Sequence, residues 1–442
     1  MGRKKKIPRG TFSAQIESLT LQGRGVAHIN EKATFVARAL PGETVDFIYT
    51  NRRRHFDEGD TTAIHEPSAE RVEPGCAHFH VCGGCALQHL DHSAQITHKQ
   101  QALNEQLERI GKVEPEQWLA PITGPQWGYR RKARLGVRWV HKKGRALVGF
   151  RERNTHFIAD IERCPVLDPR IGEKLDVLAE LIGSLSVRRA VPQIEVACGD
   201  DHVALALRHL EPLEDEDRAK LDAFADAHQF ALFLQPGGPH TLEPLTDKPR
   251  DCFPSYQLAG FDSKITFSPL DFTQVNPEIN QKMVEKALEL LAIEPGDRVL
   301  DLFAGLGNFT QPLARHAREV VAVELDQSMV ERGEASARAN RITNTRHEVG
   351  NLFEPDTNLA WMRESYDRIL LDPPRAGSAE MLPHLAAMQP KRIVYVSCHP
   401  ASLARDVGLL VHEHGFKLVS AGVMDMFPHT GHVESIAVLE PR

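Results

Sequence analysis

The sequence predicts a multidomain protein with a small N-terminal β-barrel, a central α+β region and a C-terminal doubly wound, Rossmann-like α/β domain. Three observations carry this. Short strand-like runs separated by Gly and Pro recur over residues 11–66. Apolar runs alternate with helical stretches from residue 272 onward. A length of 442 residues, 41% apolar and 26% charged, suits several domains with substantial cores. The expected boundaries are a basic tail at 1–10, a barrel at 11–68, a central region at 69–270 and the α/β domain at 271–442.

Met1–Gly10 holds five basic residues with no apolar stretch behind them, so it does not read as a secretory signal. A solvated tail and a nucleic-acid arm both fit it. No apolar run approaches the roughly 20 residues of a membrane span, and a cytoplasmic protein is expected.

In the barrel region, Ile16, Leu19 and Leu21 precede Gly23-Arg24-Gly25, Thr34-Phe35-Val36 precede Pro41-Gly42, and Val45–Tyr49 alternates by twos. Barrels of this size with exposed Arg and aromatic residues commonly bind single-stranded nucleic acid, although a plain packing module has the same pattern. The net charge of −7 argues against a uniformly basic RNA-coating protein. Between Trp127 and His156, however, ten Arg and Lys residues stand against Glu152 alone. Local clustering of this kind is what phosphate neutralisation requires.

Seven cysteines without an export signal make a disulfide framework unexpected. Cys76, Cys82 and Cys85 form C-x5-C-x2-C, and Cys164 follows in E-R-C-P. Four thiolates hold either a structural zinc or an iron–sulfur cluster. The uneven spacing and the distant ligand before Pro165 favour a cluster over paired zinc knuckles. The spacing also differs from the C-x3-C-x2-C of radical enzymes.

The α/β domain opens with Asn276-Pro277, an N-cap followed by Pro at the first helical position. Val299–Phe303, Val320–Val323, Ile369–Leu371 and Ile393–Val396 read as buried parallel strands. D301-L-F-A-G-L-G307 follows the first of them, with glycines that permit a tight turn and close ligand approach. Glu324 ends the second strand, where a carboxylate binds ribose hydroxyls. Asp301, at the preceding strand, is a second candidate ligand contact, and Asn351 in E-V-G-N is placed to meet an adenine. No phosphate-cradling G-x-x-x-x-G-K-[ST] is present, and Thr310 replaces the third glycine of the dinucleotide pattern. The loop therefore suits S-adenosylmethionine, which has no pyrophosphate, better than NAD. Asp372-Pro373-Pro374-Arg375 forms a stiff turn at a strand end. Amino-group methyltransferases carry an aromatic residue after the paired prolines, and here Arg375 stands instead.

Cys398 lies in V-Y-V-S-C-H-P, just past a strand end and before Pro400. A thiolate adding to C6 of a uracil makes C5 nucleophilic enough to take a methyl group. A base must then remove the C5 proton, and Glu434 in H-V-E-S is the candidate. Cys398 also has a bland reading as a small core residue, and Glu434 as a solvated edge carboxylate.

Taken together these motifs resemble the RNA uracil-C5 methyltransferase family, over almost the whole chain. A barrel together with four cysteines is similar to the family's ribosomal branch, which acts on a uridine of the uracil-1939 type in 23S ribosomal RNA. The resemblance implies an OB-like TRAM barrel, an iron–sulfur central domain and a class I methyltransferase domain. It implies a 4Fe–4S cluster on Cys76, Cys82, Cys85 and Cys164. S-adenosylmethionine contacts are implied for Gln274, Phe303, Asn308, Glu324, Asn351 and Asp372, with Cys398 as nucleophile and Glu434 as base. A monomer that acts on a single-stranded or flipped-out uridine is expected. A tRNA substrate, an RNA N-methyltransferase and a non-catalytic iron–sulfur RNA-binding protein are the alternatives. Two departures are visible: His399 where Asn is usual after the Cys, and Ala304 where Cys is common.

Overall fold

The computed structural model describes residues 7–442; of the basic tail, residues 1–6 lie outside the described residues. The chain divides into two compact units. The first runs to Ala102 and takes in Phe427–His432; the second comprises Leu103–Met426 and Val433–Arg442. Residues 103–270 thus fall in the same compact unit as the C-terminal α/β sheet.

In the first unit, strands Phe12–Gln15, Ser18–Leu19, Arg24–Ile29, Lys32–Ala37, Thr44–Arg52 and Phe56–Glu66 form one six-stranded sheet. The alternation noted at 45–49 buries Val45 and Phe47 with Ile16, Ala27, Val36 and Ala39. Gly59 is needed there, because a Cβ would come within 2.4 Å of the Phe47 ring. Cys76, Cys82 and Cys85 follow this sheet on a turn-rich segment.

The second unit contains two large sheets, of six and eight strands, and a two-stranded one. A central six-stranded sheet includes Lys132–Val140, Arg145–Gly149 and Gln193–Cys198. The other has eight strands: β1 (Gln117–Trp118), β2 (Arg298–Leu302), β3 (Glu319–Glu324), β4 (Thr345–Val349), β5 (Arg368–Leu371), β6 (Arg392–Ser397), β7 (Phe416–Met424) and β8 (Glu434–Pro441). Their spatial order is β4-β3-β2-β5-β6-β8-β7-β1. The strands β2 to β6 run parallel, and β8 is antiparallel to both β6 and β7. Helices cover the parallel strands, so β2, β5 and β6 are nearly inaccessible along their length and mostly apolar, with Asp301 and Arg368 as buried charged residues. The helix Pro277–Leu291 starts as its sequence dictates: Asn276 Oδ1 accepts from the Ile279 amide at 3.3 Å, and Pro277 takes the position whose N–H is dispensable.

Candidate active site

The order of the strands reverses at β2, between β3 and β5. In open parallel sheets, ligands bind outside the carboxyl ends of the strands at such a point. A cavity of about 530 Å³ lies there, within the ordinary range for small-molecule sites. Its walls come from the turns that follow β2, β3, β4, β5 and β6, from the start of β8, and from Tyr256 and residues 272–274.

The turn after β2 is strained and braced. Phe303 sits at φ +64°, a left-handed conformation that costs a bulky residue of order 1 kcal/mol. Ala304 donates to Val323 O at 3.1 Å, and the Gly305 amide donates to Glu324 Oε2 at 3.0 Å. The other Glu324 oxygen accepts from the Leu325 and Asp326 amides at 2.8 and 3.2 Å. Backbone donors thereby fix this carboxylate at the cavity wall. Phe353 closes on Phe303 with ring centroids 5.8 Å apart, and Leu325, Met329 and Leu352 extend the apolar wall. Such a slot takes a flat aromatic ring.

Of the residues expected to contact a cofactor, Gln274, Phe303, Asn308, Glu324 and Asp372 all line this cavity. Asn351 stands between two lining residues, but its side chain is engaged in its own turn: Oδ1 accepts from the Phe353 amide at 3.0 Å, and Nδ2 donates to Glu354 at 3.4 Å. Asp301 lies beneath the site, 1% exposed, accepting from Thr310 Oγ1 at 2.5 Å. Its place inside a two-sided buried strand removes it from the set of ligand contacts.

Cys398 and Glu434 share the cavity wall with Asp372 and Arg375. The pairing of β6 with β8 explains why. Ser397 is opposite Ser435, so one further step of the antiparallel register brings Cys398 alongside Glu434. Ser435 Oγ donates to Ser397 O at 3.2 Å and fixes that register. Burial pushes the Cys398 thiol up to about 11; the charges of Glu434 and Asp372 add to the rise and Arg375 opposes it. Burial also raises Asp372, to about 7. His399 serves the backbone: its Nδ1 accepts from the Ser402 amide at 3.3 Å and caps the helix Pro400–Glu413. An Asn at that position would offer the same acceptor.

A buried network ties the turn after β5 to the segment bearing the thiol. Asp406 Oδ2 accepts from the Tyr395 phenol at 2.6 Å and from the Ser378 amide at 2.7 Å. Arg405 donates to Ala376 O at 2.8 Å. Gly377 has φ +82°, and a Cβ there would meet the Asp406 carboxylate at 2.5 Å, so a side chain at this position would be strained and would press on the network.

Sequence reasoning missed Tyr256 and Phe353 on the cavity wall and Asn280 behind Asn308. Phe353 follows the E-V-G-N segment by two residues, a readable signal. Tyr256 and Asn280 carry none, because each meets Asn308 only through folding.

Of the four clustered cysteines, Cys76, Cys82 and Cys85 belong to the first unit and Cys164 to the second. All four are half-buried, and Cys82 Sγ accepts from the Gly84 amide at 3.4 Å. Among the described residues, no three His, Cys, Asp or Glu side chains are grouped closely enough to hold a metal ion.

A switch-point cavity on a doubly wound sheet, walled by a Gly loop, a carboxylate held by backbone amides and an Asp-Pro-Pro turn, defines a methyltransferase of the Rossmann-like class. More particularly, residues 91–442 match the family model described as tRNA (Uracil-5-)-methyltransferase, and the chain belongs to that family. It is 52% identical over 438 residues to the 23S rRNA (uracil(1939)-C(5))-methyltransferase RlmD of Alkalilimnicola ehrlichii, covering 99% of this chain and 98% of that one. It is 51% identical over 440 residues to the protein of the same name from Xanthomonas campestris, covering 99% of each. The fold is similar to that of Pyrococcus abyssi tRNA (uracil-54, C5)-methyltransferase in complex with S-adenosyl-L-homocysteine. The TM-score is 0.74 at 23% identity, over 97% of this chain and 100% of that chain.

Proposed function

We propose that this protein methylates C5 of one uridine of the uracil-1939 type in 23S ribosomal RNA, with S-adenosylmethionine as methyl donor. The observation that carries the reading is the thiol of Cys398 beside the carboxylate of Glu434 in the cavity walled by the Gly loop. The full-length relatives supply the choice of RNA.

The chemistry follows from those two side chains. Cys398 Sγ bonds to C6 of the uracil, and the electron pair of the C5–C6 double bond moves toward O4. Carbon C5 is then electron-rich and takes the methyl group supplied by the bound donor. Glu434 removes the proton from C5, the double bond reforms, and the C6–sulfur bond breaks to release the thiolate. With its pKa near 11, the thiol is protonated at neutral pH in the ligand-free protein. Its proton passes to solvent water before sulfur adds to C6 and is regained from water after the thiolate is released, and the Arg375 guanidinium favours the anion.

Asp372, Gln274 and Asn308 provide polar partners for the amino-acid part of the donor, Glu324 takes the ribose hydroxyls, and the Phe303–Phe353 slot with the Asn351 turn takes the adenine. A 4Fe–4S cluster on Cys76, Cys82, Cys85 and Cys164 rests on the sequence pattern, C-x5-C-x2-C with a distant fourth cysteine before Pro165, and the Gly84 amide on Cys82 Sγ suits a thiolate ligand. Such a cluster is assigned a structural role.

The first-unit sheet, read as a TRAM barrel, and the strands of 129–158 bind flanking RNA while the target uridine is flipped out. Among the described residues no helix is long and apolar enough to cross a membrane. A monomer at work in the cytoplasm is part of this reading and rests on the ribosomal RNA substrate.

Labelled methyl transfer from S-adenosylmethionine to 23S RNA lacking the modification tests the reading. Label is expected at one C5 position, with none for Cys398→Ala. Transfer to tRNA instead would favour the tRNA substrate, and transfer to an exocyclic nitrogen that survives Cys398→Ala would refute the mechanism. Protein purified without oxygen is expected to contain iron; zinc without visible absorption would refute the cluster.

A further inference from the structure

Asn308 lines the cavity, and its carboxamide is held on three of its four hydrogen-bonding positions. The Tyr256 phenol donates to Asn308 Oδ1 at 2.9 Å, and Asn280 Nδ2 donates to the same oxygen at 2.9 Å. Asn308 Nδ2 returns one N–H to Asn280 Oδ1, also at 2.9 Å. A carboxamide has two lone pairs on oxygen and two hydrogens on nitrogen. The oxygen is therefore saturated, and one N–H is left to face the cavity.

The phenol decides between this orientation and its flip. Burial, and then the charge of Asp200, raise Tyr256 above the usual phenol range, so it keeps its proton and needs an acceptor. Asn308 Oδ1 is that acceptor. With the amide reversed, the phenol hydrogen would face an NH2 group, and an unsatisfied buried donor costs about 1–3 kcal/mol. Asn280, 3% exposed on the helix Pro277–Leu291, locks the pair from behind.

We propose that Tyr256 and Asn280 are positioning residues that lock the Asn308 carboxamide so that it offers the cavity a donor only, which directs this cofactor contact to the carboxylate of the amino-acid part. This rests on the reading that the cavity takes S-adenosylmethionine. A carboxylate accepts hydrogen bonds and an ammonium group cannot, so the remaining N–H selects the acid group.

Calorimetric binding of S-adenosyl-L-homocysteine, its decarboxylated analogue and its deaminated analogue separates the possibilities. A hydrogen bond to a charged group predicts that Asn308→Ala weakens S-adenosyl-L-homocysteine and the deaminated analogue about tenfold. The decarboxylated analogue should change less than about twofold. Tyr256→Phe and Asn280→Ala are expected to give the same pattern at smaller amplitude, with melting temperatures measured alongside. Equal losses for all three ligands would reduce these residues to packing and overturn the proposal. A loss that disappears only with the deaminated analogue would overturn it too, because Asn308 would then bind the ammonium. A wild-type protein that binds none of the three sinks the cofactor reading itself and this proposal with it.

Discussion

Replacing Glu434 by Gln is expected to make Cys398 more reactive in the ligand-free protein while abolishing turnover. The thiol stands at about 11 because of burial first, the Glu434 charge second and the Asp372 charge third, with Arg375 pulling the other way. At pH 8 such a thiol is roughly 0.1% thiolate. Burial carries the larger part of the rise, so neutralising Glu434 lowers the pKa by roughly half a pH unit and raises the thiolate fraction about threefold. A less basic thiolate is also a weaker nucleophile, by about 0.4–0.5 of the same logarithm, which leaves a net gain of about twofold. The assay is alkylation by iodoacetamide between pH 7 and 9, followed on the Cys398 peptide by mass spectrometry. Asp372→Asn should act in the same direction more weakly, and Arg375→Ala in the opposite direction. Unchanged or slower alkylation in Glu434→Gln, or faster alkylation in Arg375→Ala, would refute this electrostatic reasoning.

Burial also raises the Asp301 carboxyl to about 7, with Asp372 and Glu324 adding to the rise and the Thr310 hydroxyl opposing it. Its cost to folding is therefore absent below about pH 4, grows between pH 4 and 7 and is complete above that. Asp301→Asn should stabilise the protein by on the order of 1–3 kcal/mol at pH 8 and leave it unchanged near pH 3.5, as read by denaturant melts. Phe303→Gly relieves a left-handed backbone but opens the ring slot, so stability should stay within about 1 kcal/mol of wild type. Calorimetry should show S-adenosyl-L-homocysteine affinity falling about tenfold or more. Arg131, Arg134, Lys143 and Arg145 already pair with Asp200, Glu195 and Asp160, whereas Arg138 and Lys142 are exposed outside those pairs. Arg138→Ala and Lys142→Ala should each lower the salt slope of RNA binding by about one, and an unchanged slope would remove that hairpin from the RNA interface.

The α/β domain was legible because two-sided burial writes itself as unbroken apolar runs. The strands expected at 299–303, 320–323, 369–371 and 393–396 appear at Arg298–Leu302, Glu319–Glu324, Arg368–Leu371 and Arg392–Ser397. Five of the six expected cofactor contacts line one cavity with the thiol and Glu434; Phe303, Asn308, Glu324 and Asp372 lie at or just after strand ends, and Gln274 precedes the helix Pro277–Leu291. Asp301 misled because strand-end placement says nothing about which way a side chain points. Two-residue periodicity puts it inside, under Thr310. Gln117–Trp118 is too short to show a period, so its pairing beside Ser420–Ala421 could not be read from sequence. Tyr256 and Asn280 lie 52 and 28 residues from the Asn308 they orient, and no local pattern records such a meeting.

A covalent bond between one sulfur and C6 of the target base underlies the whole reaction, and RNA carrying 5-fluorouridine at that position tests it directly. Fluorine at C5 cannot leave as a proton, so the final elimination stops. The predicted result is a stable protein–RNA complex that retains the transferred methyl group and maps to the Cys398 peptide. An adduct on any other residue, or undiminished methylation of ordinary RNA by Cys398→Ala, would contradict it.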